Sequence, residues 1–307
     1  MGRADKVRAR IHNIAKTKFL DNKNHAEHKP MKLKSNVFAD IWLIVAVVAA
    51  NFRDIPSFLQ SHQWFCAGGG HILFKAASVV DDPLANIIAA AGCTLLQVKD
   101  SGIYDAWNQA MDRLESTTLT NDCYVAFLGI DDTIREDYCL AATTRIAQPP
   151  TQPDFIYGNA LKVSNGRAKY QVSPLMPKLF GKNNYLFDVP HPGLLNRWET
   201  IKKFRFDVRY QLAGDFDFYI RIANSMDVTY AKMPKVQAII GADGMSNSLK
   251  ALEIYPREWA MIASSHQVTL AVPRFKIALF RALATVPPLF NLLRRLSWII
   301  RGNNLKQ

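Results

Sequence analysis

The chain has 307 residues, 49% of them hydrophobic, enough to bury the core of one large domain or two small ones. Its net charge of +12 sits at the ends: residues 1–35 and 271–307 each carry +7, which leaves residues 36–270 at −2. A near-neutral centre argues against a broad phosphate-tracking surface for nucleic acid. Cys66, Cys93, Cys123 and Cys139 lack metal-ligand spacing and read as buried free thiols of a reducing compartment rather than disulfides.

Residues 1–35 are basic, polar and without apolar periodicity, so they are expected to form a flexible leader. The run Trp42-Leu-Ile-Val-Ala-Val-Val48 suits a strand covered on both faces, and the apolar stretch to Ala50 is too short to span a bilayer. Asp54 with Pro56 predicts a helix start, and Gly68-Gly-Gly70 breaks the chain before a strand over His71–Phe74. Asp81-Asp-Pro83 opens a helix over Leu84–Ala91. A strand over Thr94–Val98, a helix over Tyr104–Leu114 and a strand over Cys123–Leu128 follow. This alternation predicts a parallel sheet with helices on its faces, and ligands bind such sheets beyond the carboxyl ends of their strands. Asp131 and Asp132 fall at that rim, together with Asp100 and the Ser78–Asp82 loop.

Beyond residue 133 the pattern loosens. Asp154–Tyr157 reads as an edge or mixed strand, and Leu161–Tyr170 as a hairpin turning at Asn165-Gly166. His191 lies in a loop between two prolines, and Asp215 opens a helical stretch to Ala223. Residues 271–301 form two amphipathic pieces divided by Pro287-Pro288, and arginines within them argue for helices lying in a membrane interface rather than spanning it. Packing on the main domain is the alternative.

Two adjacent carboxylates at a strand end repel unless a cation compensates them, and Mg²⁺ or Mn²⁺ holding a diphosphate would do so. The competing reading makes Asp131 or Asp132 the cap of a helix near Thr133–Glu136. In Gly214-Asp-Phe-Asp-Phe218 the aromatic flanks would raise a carboxylate's pKa, as suits a general base for a hydroxyl; otherwise Asp215 and Asp217 are caps. Arg221 can pair with Asp217 or face a phosphate. His191 can contact a diphosphate, ligate a metal or turn the chain, whereas His62, His71 and His266 carry no comparable signal.

Asp100-Ser-Gly-Ile-Tyr-Asp-Ala-Trp-Asn-Gln109, Phe127-Leu-Gly-Ile-Asp-Asp132, Tyr157-Gly-Asn159, His191-Pro192, Phe206-Asp207, Gly214-Asp-Phe-Asp-Phe-Tyr-Ile-Arg221 and Gly241-Ala-Asp-Gly-Met-Ser246 occur in that order. Together they resemble the family 2 glycosyltransferases, in the branch that builds capsule, O-antigen and other exopolysaccharides. The resemblance implies a GT-A fold, a mixed α/β sheet flanked by helices over residues 36–270, with residues 271–307 as a membrane-associating tail. It implies inverting transfer of a sugar from a nucleotide-diphosphate donor to a hydroxyl of a glycan or lipid-linked glycan. By the same resemblance Asp131 and Asp132 hold the divalent metal and Asp215 is the base. Asp217, Arg221 and His191 support the site, and Asp100, Tyr104, Asp105, Ser78 and Asp81 contact the nucleotide-sugar. The partners implied are donor, acceptor and an anionic membrane, with no nucleic acid, in a cytoplasmic protein on the inner face of the plasma membrane. The departure is in the second strand, where Lys75 stands near the position of the family's base-reading carboxylate. Two other readings accompany this one: an inactive or regulatory protein on the same fold, and a peripheral membrane-binding module.

Overall fold

The computed structural model describes residues 36–117, 119, 122–148, 152–164, 167–172, 184–185, 189–241, 244–267 and 269–270. The expected leader (1–35) and amphipathic tail (271–307) lie outside them. The first half runs β1 (Ile41–Val47), α1 (Ile55–Ser61), α2 (Gln63–Ala67), β2 (His71–Ala76), α3 (Asp82–Ala90), β3 (Thr94–Gln97), α4 (Ile103–Glu115) and β4 (Tyr124–Gly129). The second half runs β5 (Thr133–Ile134), α5 (Glu136–Ile146), β6 (Phe155–Ser164), β7 (Arg167–Val172), β8 (Asn184–Tyr185) and β9 (Leu195–Arg197). Then come α6 (Trp198–Ile201), α7 (Gly214–Ser225), β10 (Tyr230–Gly241), α8 (Leu249–His266) and β11 (Thr269–Leu270).

One sheet carries the strand order β3-β2-β1-β4-β9-β6-β10-β5, with β7 paired to β6. β3, β2, β1 and β4 are mutually parallel, as the strand–helix alternation requires. β9 joins antiparallel to both β4 and β6, so the sheet is mixed beyond β4. The apolar runs are continuous because both faces are covered. In β1, Ile44 packs with Val125 and Phe127 of β4 on the face of α4 and α7. Leu43 and Val45 pack with Ala126 and Leu128 on the other face, against Phe58 of α1 and Tyr138 of α5. Truncating Phe127, fully buried beneath the future site, is expected to cost about 4 kcal/mol.

Several local expectations hold and one needs correction. Asp81 caps α3, accepting the Leu84 N–H at 3.1 Å. β6 and β7 form the hairpin, its turn lying outside the described residues. Asp54, however, has helical angles and makes no cap hydrogen bond, because a 3₁₀ turn over Ala49–Asp54 already leads into α1. Of the two readings of β6, the mixed one holds: it is antiparallel to β9 and parallel to β10, which flank it. All four cysteines are free; Cys123 and Cys139 are buried, and half-buried Cys66 and Cys93 bring their Sγ atoms to 3.8 Å. Among the described residues no helix is long and apolar enough to cross a membrane.

Candidate active site

The carboxyl ends of β1 and β4 and the amino ends of α4 and α7 frame a cleft of about 1100 Å³. Tyr104, Asp105, Asp131, Asp132, His191 and Asp215 all stand in its wall. Chain crossings bring these residues together from positions more than 100 apart, at the place where a parallel sheet receives its ligand.

The two carboxylates after β4 diverge. Asp131 is exposed to the cleft, whereas Asp132 is buried and its Oδ2 accepts the Gly129 N–H at 2.9 Å. Neither caps a helix, because β5 intervenes and α5 starts after Arg135 without a side-chain cap. Burial, and then the charge of Asp131, push the Asp132 carboxyl up to about 7. A Cβ on Gly129 would stand 2.8 Å from Asp131 Oδ1, and one on Gly241 would stand 3.0 Å from Oδ2. Two glycines thus keep the space around this carboxylate open. Among the described residues no three His, Cys, Asp or Glu side chains are clustered to cage a metal. One or two carboxylates with open space beside them fit Mg²⁺ or Mn²⁺, which complete their shells with water and phosphate oxygens.

Asp215 lies in the first turn of α7. Removal from water raises its carboxyl to about 6, against the stabilising N–H of Phe216 at 2.9 Å and a long contact of 3.5 Å from the Tyr104 hydroxyl. Gly214 makes this approach feasible, since a Cβ there would sit 2.7 Å from the Tyr104 ring. The loop that delivers Asp215 is fastened by Glu258 of α8, which accepts the N–H groups of Gln211, Leu212 and Ala213 at 2.5, 3.0 and 2.7 Å. Glu258 is 5% exposed. A single Glu in a helix carries no sequence signal of such a role.

His191 is buried against Trp107 and Phe127, with ring centroids at 4.7 and 5.4 Å. Its tautomer follows from its neighbours. Asn196 donates its amide to the carbonyls of Val125 and Leu194, so its oxygen faces Tyr219 and receives that hydroxyl's proton at 2.9 Å. The 3.2 Å contact between Tyr219 and His191 Nδ1 then requires Nδ1–H to donate. Burial also drives the imidazole to its neutral form, lowering its pKa to about 3. Nε2 therefore bears a lone pair, and no described group hydrogen-bonds to it. It can accept a hydrogen bond or ligate a cation, but it cannot donate to a phosphate.

Other sequence candidates, apart from Asp105 in the cleft wall, occupy different places. Asp105 braces the loop before α4, accepting the Ser101 N–H at 2.8 Å. Asp100 faces a smaller adjoining pocket of about 220 Å³, where Oδ2 pairs with fully buried Lys75 at 2.7 Å. The Lys75 ammonium also donates to the carbonyls of Val98 at 2.5 Å and Ala76 at 3.3 Å, so its three protons are used. Ser78 is exposed and Asp81 caps α3; neither lines the cleft. Asp217 points away from it, pairing with Arg221 at 2.8 Å and with His266 Nε2 at 2.8 Å, which ties α7 to α8. Arg221 faces Asp217 and the Arg205 carbonyl rather than the cleft. His266, without signal in the sequence, thus has a partner 49 positions away. Lys162 of β6 also lines the cleft, and only the sheet order reveals it.

No protein-family model matches the chain. It is similar to the PGL/p-HBAD biosynthesis glycosyltransferases of Mycobacterium bovis (strain BCG / Pasteur 1173P2) and Mycobacterium tuberculosis (strain ATCC 25177 / H37Ra). Identity is 27% in each case over 162 residues, 52% of this chain and 58% of the relative, so the match spans under two thirds of the relatives' length. Among solved structures the chain superposes on the mannosyltransferase PcManGT from Pyrobaculum calidifontis, in complex with GDP-Man and Mn2+, with TM-score 0.50 and 13% identity. That superposition covers 89% of this chain and 78% of the other. At this identity the likeness is one of fold: the α/β sheet is of the GT-A type.

Proposed function

We propose that this protein is an inverting glycosyltransferase that moves a sugar from a nucleoside-diphosphate donor to a hydroxyl of a glycan or lipid-linked glycan. The observation that carries the reading is the convergence of Asp131, Asp132 and Asp215 on one cleft at the sheet's carboxyl edge. Similarity to the mycobacterial glycosyltransferases and the GT-A fold support it.

In this reading the acceptor hydroxyl lies against Asp215, which takes its proton as the oxygen attacks the anomeric carbon. The bond from that carbon to the diphosphate oxygen breaks on the opposite side, and its electron pair leaves with the diphosphate. Asp131 and Asp132 hold a divalent cation, whose chemistry when bound is to neutralise the departing diphosphate. His191 presents its Nε2 lone pair to the cation or to a substrate hydroxyl. Tyr104, pressed on Gly214, orients Asp215. In its present pairing Asp100 presents an ion pair with Lys75, rather than a lone carboxylate, to the smaller pocket.

Purified protein with Mn²⁺, a panel of nucleotide-sugars and glycan acceptors tests the reading. Donor-dependent transfer that disappears in Asp215→Asn, with donor binding retained, is the expected result. Absence of both transfer and donor hydrolysis across the panel would favour an inactive protein on this fold. Attachment to the inner face of the plasma membrane is assigned to residues 271–307, and liposome binding unchanged on their removal would sink that assignment.

A further inference from the structure

Among the described residues three cationic side chains line the cleft, and they are not equivalent: Lys162, Arg209 and Lys250. Arg209 is largely exposed and held by Asp207, with Nη2 to Oδ2 at 2.6 Å. Lys250 stands exposed at the start of α8. Lys162 is half-buried on β6 and faces the acid pair, its charge acting on both Asp132 and Asp131. Topology explains the approach. Lys162 is the register partner of Ile240 on β10, and the preceding Ile239 pairs with Thr133 of β5, the residue that follows Asp132. No ion pair within 4.0 Å holds the Lys162 ammonium among the described residues, although burial lowers its pKa and the two carboxylates oppose that shift.

A half-buried ammonium that faces carboxylates without closing on them is arranged to share a third, anionic group. Resting on the glycosyltransferase reading, we infer that Lys162 is a direct cationic contact for the donor's diphosphate. It acts beside the divalent cation and carries part of the leaving group's charge. A contact of this kind acts on phosphate oxygens and is indifferent to the nucleobase. It also persists when the metal is removed, so the protein keeps some preference for nucleoside diphosphates over nucleosides in a chelator.

Calorimetric titration of UDP, GDP, ADP, CDP and dTDP, each beside its nucleoside, with Mn²⁺ and with EDTA, tests the inference. In the wild type the best diphosphate should bind more tightly than its nucleoside in both conditions. Lys162→Met should weaken diphosphate binding about tenfold in EDTA while leaving nucleoside binding unchanged, and Lys162→Arg should restore most of the loss. Acetylation footprinting of the wild type needs no variant, so it decides the matter even if Lys162→Met fails to fold: Lys162 should be modified in free protein and protected by the diphosphate. If the wild type binds a diphosphate, but Lys162→Met binds it equally or Lys162 is not protected, the inference fails and the function stands. A loss confined to Lys250→Met would overturn it likewise. If the wild type binds none of the five diphosphates even with Mn²⁺, the glycosyltransferase reading itself fails.

Discussion

Glu258 Oε2 accepts the backbone N–H of Ala213 at 2.7 Å, joining a carboxylate in the middle of α8 to the residue that precedes α7. With Leu212 on the same oxygen and Gln211 on the other, one side chain satisfies three consecutive donors that would otherwise be stranded at a helix entrance. Glu258→Gln replaces one acceptor by a donor facing N–H groups. It should cost about 2 kcal/mol of stability and lower kcat about tenfold, with little change in the donor KM. Denaturant melts and steady-state kinetics check this; a purely structural role would leave kcat of the folded fraction unchanged.

Asp215 should leave a signature in pH. A base with pKa about 6 is active when deprotonated, so transfer at saturating Mn²⁺ should rise through pH 6 and level off above it. Stability runs the other way. The folded pKa lies above the unfolded value, so the fold is penalised once the group ionises; this is complete above pH 6 and absent below the ordinary carboxylate range. Asp215→Asn removes the penalty. After allowance for its partial exposure the variant should gain about 1 kcal/mol at pH 8 and nothing at pH 3.5. Thermal melts at the two pH values measure the difference.

Gly129→Ala tests the open space beside the acid pair. The new methyl would stand 2.8 Å from Asp131 Oδ1, and the carboxylate, a flexible tip, must swing aside. Stability should change by less than about 1 kcal/mol, while the Mn²⁺ concentration for half-maximal transfer rises about tenfold. Manganese titration followed by electron paramagnetic resonance reads binding without turnover.

Asp217 separates fold from chemistry. It is 3% exposed and holds Arg221 and His266 at once. Asp217→Asn leaves buried partners poorly matched and should cost about 3 kcal/mol, lowering Tm by roughly 6–10 °C. Because Asp217 lies outside the cleft wall, kcat of the folded protein should stay within about threefold of the wild type. A much larger loss of kcat would place Asp217 in the chemistry.

The parts of this protein legible in its sequence are those governed by local physics. β1 and β4 were readable because a strand covered on both faces must be apolar at every position, and α3 because Asp81 and Pro83 are start signals that act within one turn. The acid pair was placed correctly at a strand end because β4 stops at Gly129. β5 separates Asp131 and Asp132 from α5 and so removes the cap reading, while their metal role remains part of the proposal.

The rest depended on contacts between distant segments. Lys162, Glu258 and His266 have no motif, since a lone charged residue reads the same on a solvated face as in a buried network. The strand at Phe155, edge or mixed by its local pattern, is mixed because β9 and β10 flank it, and that order brings Lys162 to the acid pair. His191 likewise gained a defined tautomer only from Tyr219 and Asn196, which share no sequence pattern with it. Periodicity and turn chemistry act over a few residues, so the amino-acid order alone determined the parallel half-sheet and the acids at its rim. Which side chains meet across that rim, and with which proton on which atom, was decided by chain crossings, because hydrogen bonds and charges depend on distance in space rather than along the chain.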